Sequence, residues 1–388
     1  MSANLSLLPG ALRDADAAEL GRLETPCYVL DPALVMEDHA ALRQALGTAL
    51  IVSMKANPVL DLLVRCNQAF GDGIEIASLG ELNVTVGRMT VPRYVNTPAL
   101  DATLAAAALA CRATIICDSA QQVALVRQAA ARARGPVRIG LRLNAGSLLG
   151  SGPAQSDHFG MDASAMWDLL DNLPEGPVQV VGLHSFAGSN SFTASGAALA
   201  SRMSELVAEF TRRRGTAPSF VTLGAGLPST WREAGIEFAA YRASLAPLQR
   251  QTTVLHEAGR AVFSRGGAFL TRVVGVKPLA DHQVAVCDGG MAQCFALAQT
   301  ENFVKRVRVP RVVRASSASP AAGAAAMPDV MPTLVVGNSC NRADVIGRLD
   351  GPAVQDGDIL VFDHCGAYHS YSPSGFLNLR PAQFYIAA

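Results

Sequence analysis

Eight short apolar runs recur along the first two thirds of the chain, at residues 49–54, 73–77, 93–96, 114–117, 137–143, 178–184, 219–224 and 252–257. Each has the length of a buried strand. Ala/Leu-rich stretches separate them, and those at 119–134 and 197–214 are long enough for crossover helices. Strand and helix in alternation predict a parallel sheet, and eight such units predict an α/β fold built on a TIM-like (β/α)8 barrel. In such a barrel the chemistry lies at the C-terminal ends of the strands. The residues falling there are Lys55, Glu75, Asn96, Asp118, Arg142 with Asn144, His184, Gly224 and Glu257. Loops are polar in any barrel, so the identity and order of these residues carry more information than their polarity.

The rhythm changes after Gly259-Arg260. β-type runs at 269–276, 284–287, 333–336 and 359–362 follow with few helical stretches between them. They predict a C-terminal, mainly β domain that recruits the early run at 27–30. The expected organisation is an N-terminal segment 1–35 lending a strand to the β domain, a barrel at 36–265 and the β domain at 266–388. An Ala/Ser/Pro-rich stretch, 315–332, reads as a flexible surface loop or an active-site lid.

Half of the 388 residues are hydrophobic and the formal net charge is zero. A large core is therefore available, and nothing in the charge balance favours nucleic acid or an anionic membrane as partner. The longest apolar stretch, 104–117, is interrupted by Arg112 and is too short to span a bilayer. The first twenty residues lack a basic start followed by an apolar block. Eight cysteines, at 27, 66, 111, 117, 287, 294, 340 and 365, form no CxxC pair and no metal-binding spacing. In a chain of this size they read as reduced thiols of a cytoplasmic protein.

Lys55 ends the first barrel run. A lysine at the end of a buried strand is poorly hydrated, which lowers an amine's pKa and favours the neutral, nucleophilic form used in Schiff-base chemistry. A lone lysine of this kind is more often a snorkelling side chain, so the surrounding motifs decide. Leu223-Gly224-Ala225-Gly226-Leu227-Pro228 follows the seventh run. Glycines there let backbone N–H groups approach phosphate oxygens, and a helix start adds positive potential.

Several motifs in order resemble those of the ornithine/diaminopimelate/arginine decarboxylases, the fold type III enzymes that use pyridoxal 5'-phosphate. Ser53-Met54-Lys55-Ala56-Asn57-Pro58 resembles the cofactor-lysine motif. The 74–82 segment resembles the next one, with Glu75 where Asp is usual. His158-Phe159-Gly160-Met161 resembles the short Phe-Gly signature, and Glu257-Ala258-Gly259-Arg260 resembles Glu-Pro-Gly-Arg. Asp288-Gly289-Gly290-Met291, Cys340-Asn341-Arg342-Ala343-Asp344 and Gly366-Ala367-Tyr368 continue the match through the β domain.

The resemblance implies a cofactor bound by Lys55, Glu75, His184, Phe186, Ser189, Gly224, Gly226, Glu257, Arg260 and Tyr368. Lys55 would hold it covalently, and Glu257 would pair with the pyridine nitrogen and keep the ring an electron sink. It also implies a head-to-tail homodimer with shared active sites, in which Cys340 protonates Cα. Asn341, Arg342 and Asp344 would contact substrate.

Three positions depart from the family pattern. Phe186 stands where a stacking His is usual, and Ala258 replaces Pro. Asn341 replaces the acidic residue that binds a distal ammonium. An amide gives up the charge-assisted bond, and Arg342 beside it either forks onto a substrate carboxylate or points to solvent. Ala258 bears on loop rigidity more than on chemistry, whereas the Asn341 departure points away from ornithine, lysine and diaminopimelate. It favours a conjugated amino acid with an anionic or neutral distal end, such as the citryl-serine or citryl-diaminopropionate of siderophore biosynthesis. Alternatives are a diaminopimelate or other diamino acid decarboxylase, an amino-acid racemase on the same architecture, and a catalytically dead regulatory relative.

Overall fold

The computed structural model describes residues 3–5, 17–131, 135–150, 158–297, 308–314, 330–369 and 375–387. They form two compact units. One comprises Met1–Val35 together with Phe263–Ala388, and the other Met36–Val262.

The first unit opens with β1 (Ala3–Leu5) and β2 (Cys27–Leu30). The second contains β3 (Ala49–Ser53), β4 (Ile74–Ile76), β5 (Arg93–Asn96), β6 (Thr114–Cys117), β7 (Val137–Leu143), β8 (Val178–Ser185), β9 (Phe220–Gly224) and β10 (Thr253–Ala258). All eight pair in parallel, and β10 returns to β3 to close the barrel. Their β-rich sequences and nearly continuous burial fit strands covered on both faces, by helices outside and by side chains within. Inside the barrel Phe220 meets Tyr94 edge-on, with ring centroids 6.2 Å apart.

Helices begin abruptly after the strand ends, because polar residues cap their first turns. Ser78 accepts from Glu81 N, Asp101 from Leu104 N, Ser119 from Gln122 N and Asn144 from Ser147 N. Each such cap contributes about 1 kcal/mol. Some of the polarity at the barrel mouth is therefore structural, and Asn144 belongs to that class. The longest helix, Phe192–Arg214, ends in three arginines and Gly215 in the left-handed conformation, a charged last turn that complements the helix dipole.

The first unit is completed by β11 (Gly267–Pro278), β12 (Gln283–Cys287), β13 (Arg311–Val313), β14 (Met331–Val336), β15 (Val345–Gly351), β16 (Ile359–Phe362) and β17 (Gln383–Ala387). Their main path runs β1-β17-β2-β11-β12-β14-β15, and β16 joins β11 to β13. The early strand β2 lies between β17 and β11, so the N-terminal run does enter this sheet. The expected loop at 315–332 is shorter at its C-terminal end than the sequence suggests. Met331 and Pro332 already pair with Gly351 and Asp350 in β14, and residues 315–329 lie outside the described residues.

On the outward face of β10, His256 is fully buried between Thr48 Oγ1 and Tyr241 OH, each 2.7 Å away. Burial pushes its pKa down from 6.5 to about 3. Between those values the unfolded chain binds the extra proton, so stability is intact above about pH 6.5 and falls as the pH drops toward about 3. Trp167 and Trp231, the chain's two tryptophans, both lie in the barrel unit. Urea unfolding followed by their fluorescence should show wild-type protein losing roughly 2 kcal/mol more than His256→Gln between pH 7 and pH 5. Equal losses would assign the acid sensitivity to other groups.

Candidate active site

The C-terminal ends of the barrel strands carry two linked groups of polar side chains. The first lies over β3 and β4. Lys55 sits in the 3-10 turn Met54–Ala56, just beyond β3 rather than within it. Its Nζ donates to both oxygens of Glu75 at 3.0 Å. Ser53 Oγ donates to Glu75 Oε2 as well. Burial alone would raise the Glu75 carboxyl; the Lys55 charge and the bonds from Ser53 and Lys55 outweigh it and hold the pKa below the usual carboxylate value. Glu81 responds in the opposite sense. Burial raises it, the nearby Glu75 charge adds to the rise, and the bond from Ala77 N only partly offsets them.

The expected desolvation of Lys55 is not found. Its side chain is 45 % exposed, because the turn lifts it clear of the strand. Its surroundings are set by an ion pair with a buried carboxylate instead.

The second group spans β5 to β10. Asp118 Oδ1 accepts from Gly160 N at 3.0 Å and lies 3.7 Å from Arg142 Nη1. Arg142 stacks over the Phe159 ring and donates to Asn96 Oδ1. Asn96 Nδ2 is 3.2 Å from His184 Nε2, and the same nitrogen is 3.0 Å from Glu257 Oε2. Glu257 Oε1 is buried and has no hydrogen-bond partner among the described residues.

The glycine-rich turn follows β9, between the strands that carry His184 and Glu257. Gly224 could not carry a Cβ, which would lie 2.2 Å from Phe186 Cδ2. The aromatic ring is thus seated directly on the strand end. Gly226 has φ +60°, and a Cβ there would come within 2.6 Å of Gly188 O. The turn is tied to β10 by Ala225 N donating to Glu257 O at 2.8 Å. Ser189 is exposed on the segment leading into helix Phe192–Arg214, next to Asn190 in the left-handed conformation. Arg260 is half-buried at the start of the short helix Arg260–Phe263.

The barrel unit therefore gathers Lys55, Glu75, His184, Phe186, Ser189, Gly224, Gly226, Glu257 and Arg260 at one end. These residues fit pyridoxal phosphate. The open Glu257 oxygen suits a ring N–H, the glycine turn exposes backbone for a phosphate, and Lys55 supplies the amine. His184 lies against Glu257. Asn96, Asp118 and Arg142 were visible at strand ends in the sequence, but nothing in their spacing said that they join one hydrogen-bonded chain.

The remaining expected residues belong to the sheet unit. Cys340 is exposed and forms no disulfide. Asn341 and Arg342 are exposed beside it. Tyr368 is held at φ 61°, a conformation that costs a bulky residue about 1–2 kcal/mol and is commonly found at functional sites. The expectation that Asp344 contacts substrate gives way to a different role. Its carboxylate is buried, Oδ1 accepts from Met291 N at 2.6 Å, and Oδ2 accepts from Ser339 N and Ser339 Oγ at 3.1 and 2.6 Å. It clamps the turn that presents residues 340–342 to the 288–291 turn.

The pyridoxal-dependent decarboxylase, pyridoxal binding domain, matches residues 33–264. Diaminopimelate decarboxylase of Deinococcus radiodurans is 30% identical over 390 residues, covering 98% of this chain and 93% of that protein. L-glutamyl-[BtrI acyl-carrier protein] decarboxylase of Niallia circulans is 23% identical, with 92% and 87% covered. In architecture the chain is similar to diaminopimelate decarboxylase of Helicobacter pylori complexed with L-lysine, with a TM-score of 0.79 at 20% identity over 95% of this chain and 93% of that one.

Barrel, site and relatives define a fold type III, pyridoxal 5'-phosphate-dependent carboxy-lyase. The chain belongs to the pyridoxal-dependent decarboxylase family.

Asp344→Ala should lower stability by roughly 2–4 kcal/mol, because it leaves buried donors unpaired. Asp344→Asn should do less damage and leave substrate KM nearly unchanged. A large KM rise in a fully stable Asp344→Asn protein would restore Asp344 to the substrate site.

Proposed function

We propose that this enzyme removes CO2 from the amino-acid part of a conjugated substrate that has no free distal ammonium. The leading substrates are citryl-serine and citryl-diaminopropionate, as used in siderophore biosynthesis.

The observation that carries this reading is the pair Asn341-Arg342. Asn341 Oδ1 accepts from Ala343 N at 2.9 Å, so one lone pair of the amide oxygen is engaged by the turn while the side chain stays exposed. Asn341 then offers donors, and Arg342 adds five more. An ammonium finds no charged acceptor on these side chains, whereas a carboxylate or carbonyl finds several donors. The relative from Niallia circulans, whose name gives an acyl-carrier-bound glutamyl substrate, agrees with a conjugated amino acid.

Lys55, Glu75, Phe186, Ser189, Gly224, Gly226, Glu257, Arg260 and Tyr368 would hold the cofactor. Pyridoxal phosphate supplies an electron sink for the pair left at Cα when CO2 departs. Glu257, whose Oε1 is open, would accept a hydrogen bond from the ring nitrogen. Lys55, paired with Glu75, receives and returns protons at the amine. Phe186 would stack on the ring without offering a hydrogen bond, and the backbone at Gly224 and Gly226 would hold the phosphate. In a head-to-tail homodimer Cys340, carried beside Asn341 and Arg342, serves the other subunit's site and delivers the proton to Cα.

A second reading, diaminopimelate decarboxylation, is favoured by the 30% identity to the Deinococcus radiodurans protein. CO2 release by the protein with added pyridoxal phosphate, across citryl-serine, citryl-diaminopropionate, diaminopimelate, ornithine, arginine and lysine, separates the two. Turnover confined to a citryl conjugate is expected. Arg342→Ala should then raise KM about ten- to a hundredfold with kcat little changed. Turnover of diaminopimelate would overturn the proposal.

A further inference from the structure

Three side-chain polar atoms at the barrel mouth are buried without a partner among the described residues: Glu257 Oε1, His184 Nδ1 and Thr222 Oγ1. His184 and Thr222 are 1% and 0% exposed. Leaving such groups unpaired costs about 1–3 kcal/mol each. The first is accounted for by a ring N–H, on the functional reading above. The other two lie on neighbouring strands and do not bond to each other in this structure. His184 and Thr222 are register partners on β8 and β9. Partners on adjacent parallel strands present their side chains to the same face. One atom is an imidazole nitrogen and the other a hydroxyl able to donate or accept.

The polarity of the chain follows from Arg142. A guanidinium has donors and no acceptor, so Asn96 must turn Oδ1 toward Arg142 and its NH2 toward His184. Two groups therefore converge on Nε2: an N–H of Asn96 at 3.2 Å and an oxygen of Glu257 at 3.0 Å. A neutral imidazole satisfies one of them. If Nε2 carries the hydrogen, it donates to Glu257, and Nδ1 is left as an open acceptor that the Thr222 hydroxyl reaches only by turning toward it. If Nδ1 carries the hydrogen, Nε2 accepts from Asn96, and the Glu257 oxygen faces a lone pair.

We propose that Thr222 and His184 are positioning residues for Glu257. In the cofactor-loaded protein the Thr222 hydroxyl donates to His184 Nδ1, and His184 Nε2–H donates to Glu257 Oε2. One carboxylate oxygen is thereby fixed and the other is aimed at the cofactor ring. Asn96, held by Arg142, is the competing donor that favours the opposite tautomer when Glu257 has no ring to face. This inference rests on the pyridoxal phosphate reading of the site.

The test titrates wild type, Thr222→Val and Thr222→Ser with pyridoxal phosphate, following the absorbance of the bound cofactor across pH. Thr222→Val keeps the shape and removes the hydroxyl. It should weaken cofactor binding about tenfold and shift the pH at which the bound cofactor's spectrum changes. Thr222→Ser should restore both. Val, Ser and wild-type proteins with the same affinity and pH profile would overturn the positioning role while leaving the functional reading intact. Failure of the wild type to bind pyridoxal phosphate would overturn both. A readout independent of the variants is 15N NMR of histidine-labelled holoenzyme. It should find His184 as the Nε2–H tautomer, and Nδ1–H there would overturn the proposal.

Discussion

A carboxylate buried at the end of the last barrel strand, with one oxygen bonded and the other open, sets the terms for the rest of the site. Removing a carboxylate from water costs several kcal/mol unless donors replace the lost hydration. Glu257 lies on β10, the strand that closes the barrel against β3, so its place is fixed by ring closure rather than by a loop. His184 from β8 supplies one donor. The open oxygen then becomes the point at which an incoming N–H finds a ready partner, and the site is polarised before any ligand arrives.

On the other side of β3, a second buried carboxylate is satisfied by a cation and a hydroxyl instead. Glu75 is buried, and Lys55 and Ser53 satisfy it. Its negative charge is one reason why Glu81, a few residues along, is pushed upward. Lys55 is held by this carboxylate while still exposed, so the amine stays accessible yet aimed. The chain has three lysines, Lys55, Lys277 and Lys305, and Lys55 alone lies in the barrel unit. Arginine, which remains charged and cannot form an imine, is the cation used elsewhere in that unit.

Much of this was legible in the sequence, because a parallel barrel writes its strands as apolar runs. All eight runs became barrel strands, with ends differing by a residue or so. Strands β1, β13, β15 and β17 were missed, two of them for reasons visible in their residues. Arg348 and Asp350 break the apolar run of β15, and half-buried positions give β17 a weak signature. At the site, linear motifs located Lys55, Glu257 and the glycine turn. What they could not give was contact across strands. The link from Arg142 through Asn96 to His184 depends on barrel register. The engagement of Asp344 by backbone donors depends on a turn some fifty residues earlier in the chain. Thr222 could have been suspected by parity, since it lies two residues before Gly224 on an inward-facing strand position.

The claim that unites these observations is that Lys55, paired with Glu75, is the residue that binds pyridoxal phosphate covalently. Borohydride reduction of the cofactor-loaded protein, followed by peptide mass spectrometry, tests it most directly. The account predicts a phosphopyridoxyl group on the peptide containing Lys55. A label on Lys277 or Lys305, or no label at all, would contradict it.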